Sequence, residues 1–336
     1  MQSKPTLVHS ASSPIDRLLA LAAEDMKQVD AIIVERMQSP VGMIPDLATH
    51  LVGAGGKRLR PLLTIASAHL CDYKGESHHK LAAAVEFIHS ATLLHDDVVD
   101  ESALRRGRKT ANRVWGNSAT ILVGDFLFAR AFNLMVETQS IEALGILSNA
   151  SSVIAEGEVH QLAALRNVDM TESVYMDVIG AKTAALFSAA AEVSPVIAGC
   201  PLAYRQALRR YGQELGLAFQ LVDDALDYGG IESALGKSVG DDFREGKMTL
   251  PVIRAYASGD EDDKQFWRRV ISEHDQSEMD LETAVSKLRT AGALKSTLDE
   301  ARRRVENAKK ALAIFPDNEW KTALKDIAGF VVARVS

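Results

Sequence analysis

Two stretches of this chain, LLHDDVVDE at 93–101 and FQLVDDALDY at 219–228, each place an Asp-Asp-x-x-Asp group in an otherwise apolar helical run. Asp96 and Asp100 are four residues apart, so on a helix they share one face, about 6 Å apart along the axis. Asp97 points partly aside, and His89, two turns earlier, projects from roughly the face of Asp96. An unpaired carboxylate taken out of water costs several kcal/mol, and like charges on one helical face repel unless a cation intervenes. For one acidic triplet, a helix end entering solvent is the ordinary explanation. The recurrence at Asp223, Asp224 and Asp227 weakens it, because two such groups on apolar helices are better explained as facing one another. A hard divalent cation with oxygen ligands, chiefly Mg²⁺, fits between them, sharing its shell with water and substrate phosphates.

The rest of the chain is patterned as helix. Apolar residues recur at threes and fours from Ile15 to Met37, and further helical runs cover 80–102, 117–138, 141–165, 171–193, 201–227 and 248–257. A shorter helix precedes the glycines at 53–56, and Pro61 opens another toward Cys71. No alternating run bounded by hairpin turns marks a strand. After Gly259 the composition turns charged, as in amphipathic helices packed on a central bundle. The expectation is an all-α fold with one domain over 15–336 and a loosely held tail at 1–14. That tail lacks the apolar core of a signal peptide, and the apolar run at 183–200 is interrupted by Glu192 and Pro195, so a soluble, cytoplasmic protein without membrane insertion is expected. Cys71 and Cys200, distant in sequence and in apolar settings, read as buried free thiols.

A net charge of −7 argues against a nucleic-acid binder that relies on bulk positive charge. The basic residues are nevertheless clustered. GGKRLRP (55–61) sets Lys57, Arg58 and Arg60 beside glycines at a helix start, a setting that favours anions. Arg105, Arg106, Arg108 and Lys109 follow the first acidic group, and Lys237 and Lys247 follow the second. Each cluster alone reads as a solvated loop. Flanking acid-rich helices together, they point to a phosphorylated ligand held by metal and by Arg/Lys. The Leu, Val, Ala and Phe around both groups make the remainder of that ligand hydrocarbon.

DDVVD and DDALD, with GGKRLRP, EFIHSATLLHDD, GDFLFARAF, AEGEVHQL, KTAALF and LGKSVGDDFREGKMTLP in this order, resemble the trans-isoprenyl diphosphate synthases. Within that family the chain is most similar to the long-chain polyprenyl enzymes that make quinone side chains. The resemblance implies a helical bundle around a deep central cavity, a homodimer, and head-to-tail condensation of isopentenyl diphosphate onto an allylic diphosphate, farnesyl or geranylgeranyl. It implies that Asp96, Asp100, Asp223 and Asp227 bind Mg²⁺ bridging the allylic diphosphate, with Asp97 and Asp224 completing the catalytic groups. Lys57, Arg60, His89 and Arg106 would hold isopentenyl diphosphate. Arg105, Lys182, Thr183, Gln220, Lys237 and Lys247 would contact the allylic diphosphate.

In this family, bulky residues just before the first acidic group stop product growth. Here Ile88, Ala91 and Thr92 stand there, and the small pair implies a long product that Ala91→Phe should shorten. A class I terpene cyclase would share one Asp-rich helix, but its second motif mixes Asn, Ser and Glu. Glu86 and His89 have the Glu-x-x-His spacing of di-iron bundles, yet no second pair exists, since EVH at 158–160 has the wrong spacing. A non-catalytic partner subunit would lack aspartates that are intact here. Glu156 and Glu158 are as well explained by a solvated helix turn as by a cavity mouth.

Overall fold

A computed structural model describes residues 13–53, 56–105, 107–229 and 240–334. Helices run in order: α1 Pro14–Leu21, α2 Ala23–Arg36, α3 Met43–Gly53, α4 Leu59–Leu70, α5 Ser77–Val99, α6 Ala111–Trp115, α7 Asn117–Glu137, α8 Ile141–Ala163 and α9 Glu172–Ile179. They continue with α10 Ala185–Ile197, α11 Leu202–Asp227, α12 Asp241–Arg244, α13 Leu250–Ser258, α14 Glu261–Trp267, α15 Asp280–Thr290, α16 Ala293–Ala311 and α17 Glu319–Ala333. Among the described residues the sheet content is one antiparallel hairpin, β1 Leu104–Arg105 with β2 Arg108–Lys109, paired Leu104 to Lys109 and Arg105 to Arg108. The all-α expectation holds.

Local chemistry sets the helix ends. Ser13 and Asp16 form a reciprocal capping box with Pro14 as the first helical residue. The single helix expected from Ile15 to Met37 is instead broken at Ala22. The run expected at 171–193 is α9 and α10 joined by a π turn, Gly180–Ala184, and it extends through Pro195 to Ile197.

Alanines make α5 the central helix. Leu81, Ala82, Ala83, Ala84, Val85, Ile88, Ala91 and Leu94 are fully enclosed, and the helix packs on α2, α4, α7 and α10. On the other side α11 packs on α10 and α16. One contiguous apolar core runs from Ile15 to Val331. α7 and the α9–α10 pair are apolar and long enough to cross a membrane by composition, which the sequence reading did not anticipate. Most of the α9–α10 pair is buried inside the protein, as a core helix is. The cysteines are not separate: the half-buried thiols of Cys71 and Cys200 hydrogen-bond, and burial pushes the Cys71 thiol up.

Candidate active site

The two Asp-rich helices each carry a stripe that the core leaves open. On α5, the half-buried positions Glu86, His89, Thr92, Leu93, Asp96 and Asp100 recur at helical spacing. On α11, Phe219, Gln220, Asp223, Leu226 and Asp227 do the same. The middle aspartates are excluded from these stripes. The Asp97 side chain is 2% exposed, against 17% for Asp96 and 26% for Asp100. Asp97 accepts hydrogen bonds from Arg105 Nε and Nη2 at 3.0 and 2.8 Å, and Asn112 donates to its carbonyl at 2.8 Å. Asp224 is likewise enclosed, taking hydrogen bonds from Tyr175 at 2.5 Å and Gln220 at 2.7 Å. Burial and the Asp242 charge push its carboxyl up to about 8, against the opposing hydrogen bonds from Tyr175 and Gln220. Asp97, which the helix spacing sets partly aside, and Asp224 are thus both enclosed, Asp97 against Arg105 and Asp224 against Tyr175 and Gln220.

Lysines from elsewhere converge on the outward aspartates. Lys182 Nζ is 3.6 Å from Asp96 Oδ2 and 2.7 Å from Glu158 Oε2. Burial alone would lower the Lys182 pKa, but Asp96 and Glu158 outweigh it and hold the ammonium charged. From the π turn, Lys182 and Thr183, adjacent in sequence, serve three helices: Lys182 reaches α5 and α8, while Thr183 donates to Gln220 Oε1 of α11 at 2.8 Å. Glycines press against this turn from two helices. A Cβ added at Gly157 would meet Ala181 Cβ at 2.7 Å, and one at Gly216 would meet Ala184 Cα at 2.6 Å.

Lys247 joins the two groups. Its Nζ is 3.6 Å from Asp100 Oδ2 and pairs with Glu245, and its backbone N–H donates to the Asp242 carbonyl at 2.9 Å. The Asp242 and Asp241 N–H groups in turn donate to the Asp227 carboxylate at 3.1 and 3.2 Å. Asp227 thus anchors a segment whose lysine reaches Asp100 across the site. Burial and the neighbouring Asp100 push the Asp96 carboxyl up, with Lys182 opposing them. A partly accessible set of carboxylate oxygens, its mutual repulsion answered by two ammonium groups, is the donor chemistry a hard divalent cation takes. The residues present therefore fit such an ion.

A second, cationic cluster lies beside Asp223. Arg334, in the last turn of the chain, donates to Asp223 Oδ1 at 3.3 Å and stacks over Phe219. Arg60 contacts His89 Nε2 at 3.1 Å and covers the Phe187 ring at 4.3 Å. Burial lowers the Arg60 pKa to about 10, with Glu86 and Asp223 opposing. Burial and the Arg334 charge also lower that of Lys57, whose ammonium sits over the Phe330 ring. Crowded cations at a Gly-rich turn suit an anion. A guanidinium beside both Glu86 and His89 also disfavours the di-iron alternative, because it places positive charge where an iron would need its ligands. Arg58, by contrast, has φ 46° and turns out to pair with Asp30.

A model of the polyprenyl synthetase family matches residues 42–288. The chain belongs to this family. It is 44% identical to octaprenyl diphosphate synthase of Escherichia coli, over 95% of this chain and 99% of that one. A crystal structure of a decaprenyl diphosphate synthase from Rhodobacter capsulatus is 54% identical, with TM-score 0.93 over 96% of this chain and 100% of that one. A polyprenyl synthase from Caulobacter crescentus, complexed with calcium and isoprenyl diphosphate, is also 54% identical, with TM-score 0.93 over 97% and 100%. In this polyprenyl synthetase the fold gathers Asp96, Asp100, Lys182 and Lys247 in one cluster, and Lys57, Arg60 and His89 with Asp223 in another. Arg105 pairs with Asp97, and its charge also bears on Asp96. Arg106 and Lys237 lie outside the described residues. Tyr175, Asp242, Glu245 and Arg334 escaped the sequence reading, because only long-range packing brings them to the aspartates, while Glu158, left open between a solvated turn and the site, pairs with Lys182.

Proposed function

We propose that this chain is a long-chain all-trans polyprenyl diphosphate synthase, extending farnesyl or geranylgeranyl diphosphate with isopentenyl diphosphate to an octaprenyl-to-decaprenyl product, a quinone side-chain precursor. The observation that carries this reading is the convergence of Lys182 on Asp96 and of Lys247, in the segment anchored by Asp227, on Asp100, next to a separate cation cluster. The first cluster suits a metal-assisted allylic diphosphate and the other a second diphosphate. The names of the relatives, octaprenyl and decaprenyl synthases, support the product class, and the calcium in one of them supports divalent-cation binding.

Asp96, Asp100, Asp223 and Asp227 would hold magnesium, which when bound supplies positive charge that stabilises the departing diphosphate. Lys182 and Lys247, now on carboxylates, are free to share their protons with diphosphate oxygens as charge builds there. The apolar flank of the α5 stripe keeps water from the allylic cation. Lys57, Arg60 and His89, with Arg334, would orient isopentenyl diphosphate so that its double bond attacks C1 of the cation. The released diphosphate then removes the proton, and no side-chain nucleophile is needed. Incubating the purified protein with magnesium, farnesyl diphosphate and radiolabelled isopentenyl diphosphate, with products resolved by thin-layer chromatography, tests this. A ladder ending at eight to ten isoprene units is expected; no condensation, or condensation without any divalent cation, sinks the reading.

The residues expected to set chain length do not share one environment. Ile88 and Ala91 are fully enclosed, whereas Thr92 lies on the open stripe. Thr92→Phe is therefore expected to shift the ladder toward shorter products. Ala91→Phe would first have to overpack a closed position, at a cost of roughly 1–3 kcal/mol. Thermal melts and product ladders of both variants separate the two effects.

The reading includes a cytoplasmic homodimer. On α7, Leu122 and Val136 are 66% and 62% exposed with Ala129 exposed between them, an apolar stripe at seven-residue spacing that a second copy can cover. Leu122→Glu is expected to convert the dimer to monomer; light scattering showing an unchanged mass would count against that face.

A further inference from the structure

At the opposite end of α5 from its aspartates, three imidazoles converge on one carboxylate. His69 Nε2 lies 2.8 Å from Asp25 Oδ2, while His78 and His79 Nε2 lie 3.0 and 2.8 Å from Asp25 Oδ1. Ligand atoms of Asp25, His69 and His78 all fall within 4.8 Å of one another. The four residues come from three helices: Asp25 from the first turn of α2, His69 from the last turn of α4, and His78 and His79 from the first turn of α5. His78 and Asp96 are separated by about 27 Å along α5 at ~1.5 Å per residue. The cluster has no part in the chemistry proposed above.

We propose that Asp25, His69 and His78, with His79 beside them, form a structural site for a divalent transition metal, zinc in the first instance. Imidazole nitrogens with one carboxylate are a donor set for zinc and its neighbours, and not for magnesium, which takes oxygen. Donor atoms around a tetrahedral zinc stand roughly 3.3 Å apart. The nitrogens sit 2.8–3.0 Å from the carboxylate oxygens, slightly inside that spacing, and the ligand atoms of Asp25, His69 and His78 all fall within 4.8 Å of one another.

The rings are already oriented. His69 stacks on Trp320 of α17, with centroids 4.2 Å apart and planes 2° apart, and Tyr73 packs edge-on to His78 at 5.6 Å. An ion would thus tie α2, α4 and α5 together where α17 closes over them. The His69 side chain is 34% exposed and offers a way in, whereas His78 is 6% exposed.

The charge states suit coordination. Burial alone would raise the Asp25 carboxyl, but the hydrogen bonds from His78, His79 and His69 hold it well below the usual range, so it is ionised. Burial lowers the pKa of His78, which favours the neutral ring a metal requires. One feature opposes tight binding. His78 Nδ1 is buried without a hydrogen-bond partner, so coordination through Nε2 moves the ring proton to a nitrogen with nothing to receive it. A micromolar rather than picomolar affinity is expected.

The full-length protein, stripped with a chelator and then held in excess magnesium to occupy the aspartate groups, is titrated with Co²⁺ followed by Zn²⁺. One Co²⁺ per chain with the visible absorption of a four- or five-coordinate nitrogen–oxygen site, displaced by Zn²⁺, is expected. Zinc at about 100-fold over its Kd should raise the Tm by roughly 3–5 °C. His69→Gln at the exposed rim should weaken binding by more than about 100-fold and abolish the Tm shift. Asp25→Asn, which keeps an oxygen acceptor for the imidazoles, should do the same. Circular dichroism of the metal-free variants verifies their fold. No saturable binding in magnesium, or equal binding by the wild type and a folded variant, overturns the site.

Discussion

Asp96→Asn is expected to lower the rate of isopentenyl diphosphate condensation by about 10³-fold or more while leaving the Tm unchanged or slightly higher. The two outcomes have one cause. In the resting protein Asp96 is a costly group: burial and the Asp100 charge disfavour its ionised form, and Lys182 compensates only in part. An amide relieves that repulsion, and Lys182 keeps its 2.7 Å bond to Glu158, so folding loses nothing. Turnover loses a ligand charge that an amide oxygen cannot replace for a hard cation. The apparent magnesium requirement should rise together with the fall in kcat. A variant within tenfold of wild type would remove Asp96 from the metal set.

Arg105→Met should do the reverse, costing about 3 kcal/mol of stability with little direct effect on chemistry. Its guanidinium is the partner of a carboxylate that is 2% exposed, and removing it leaves that charge buried. Burial already pushes the Asp97 carboxyl up even with Arg105 in place, and without Arg105 it rises further. The folded state then holds a proton that the unfolded chain has released, so the deficit is largest above that raised value and shrinks as the pH falls toward the unfolded one. Denaturant midpoints measured at pH 8 and pH 5 test this. A higher KM for the allylic diphosphate with unchanged stability would instead restore Arg105 to the role the family resemblance implies.

These two residues show why parts of the site were legible in the sequence and others were not. Asp96 and Asp100 could be read because a helix converts a spacing of four into a shared face, and the same arithmetic set Asp97 aside. Arg105 follows the acidic group in sequence, but only the fold shows that its guanidinium pairs with Asp97. The family resemblance marked Lys182, but no local pattern shows that it reaches both Asp96 and Glu158. Arg334 and Asp223 are 111 residues apart, and no local pattern joins them.

By itself the sequence determined the helical fold, the two carboxylate faces and the diphosphate chemistry, because each follows from periodicity and residue type within a few turns of helix. Only the tertiary structure decided which cations answer the aspartates, that Thr92 rather than Ala91 lies on the open stripe, and that Asp25 gathers three histidines. Those outcomes depend on which side chains burial leaves with a partner, and the partners come from helices that meet only when the core has closed.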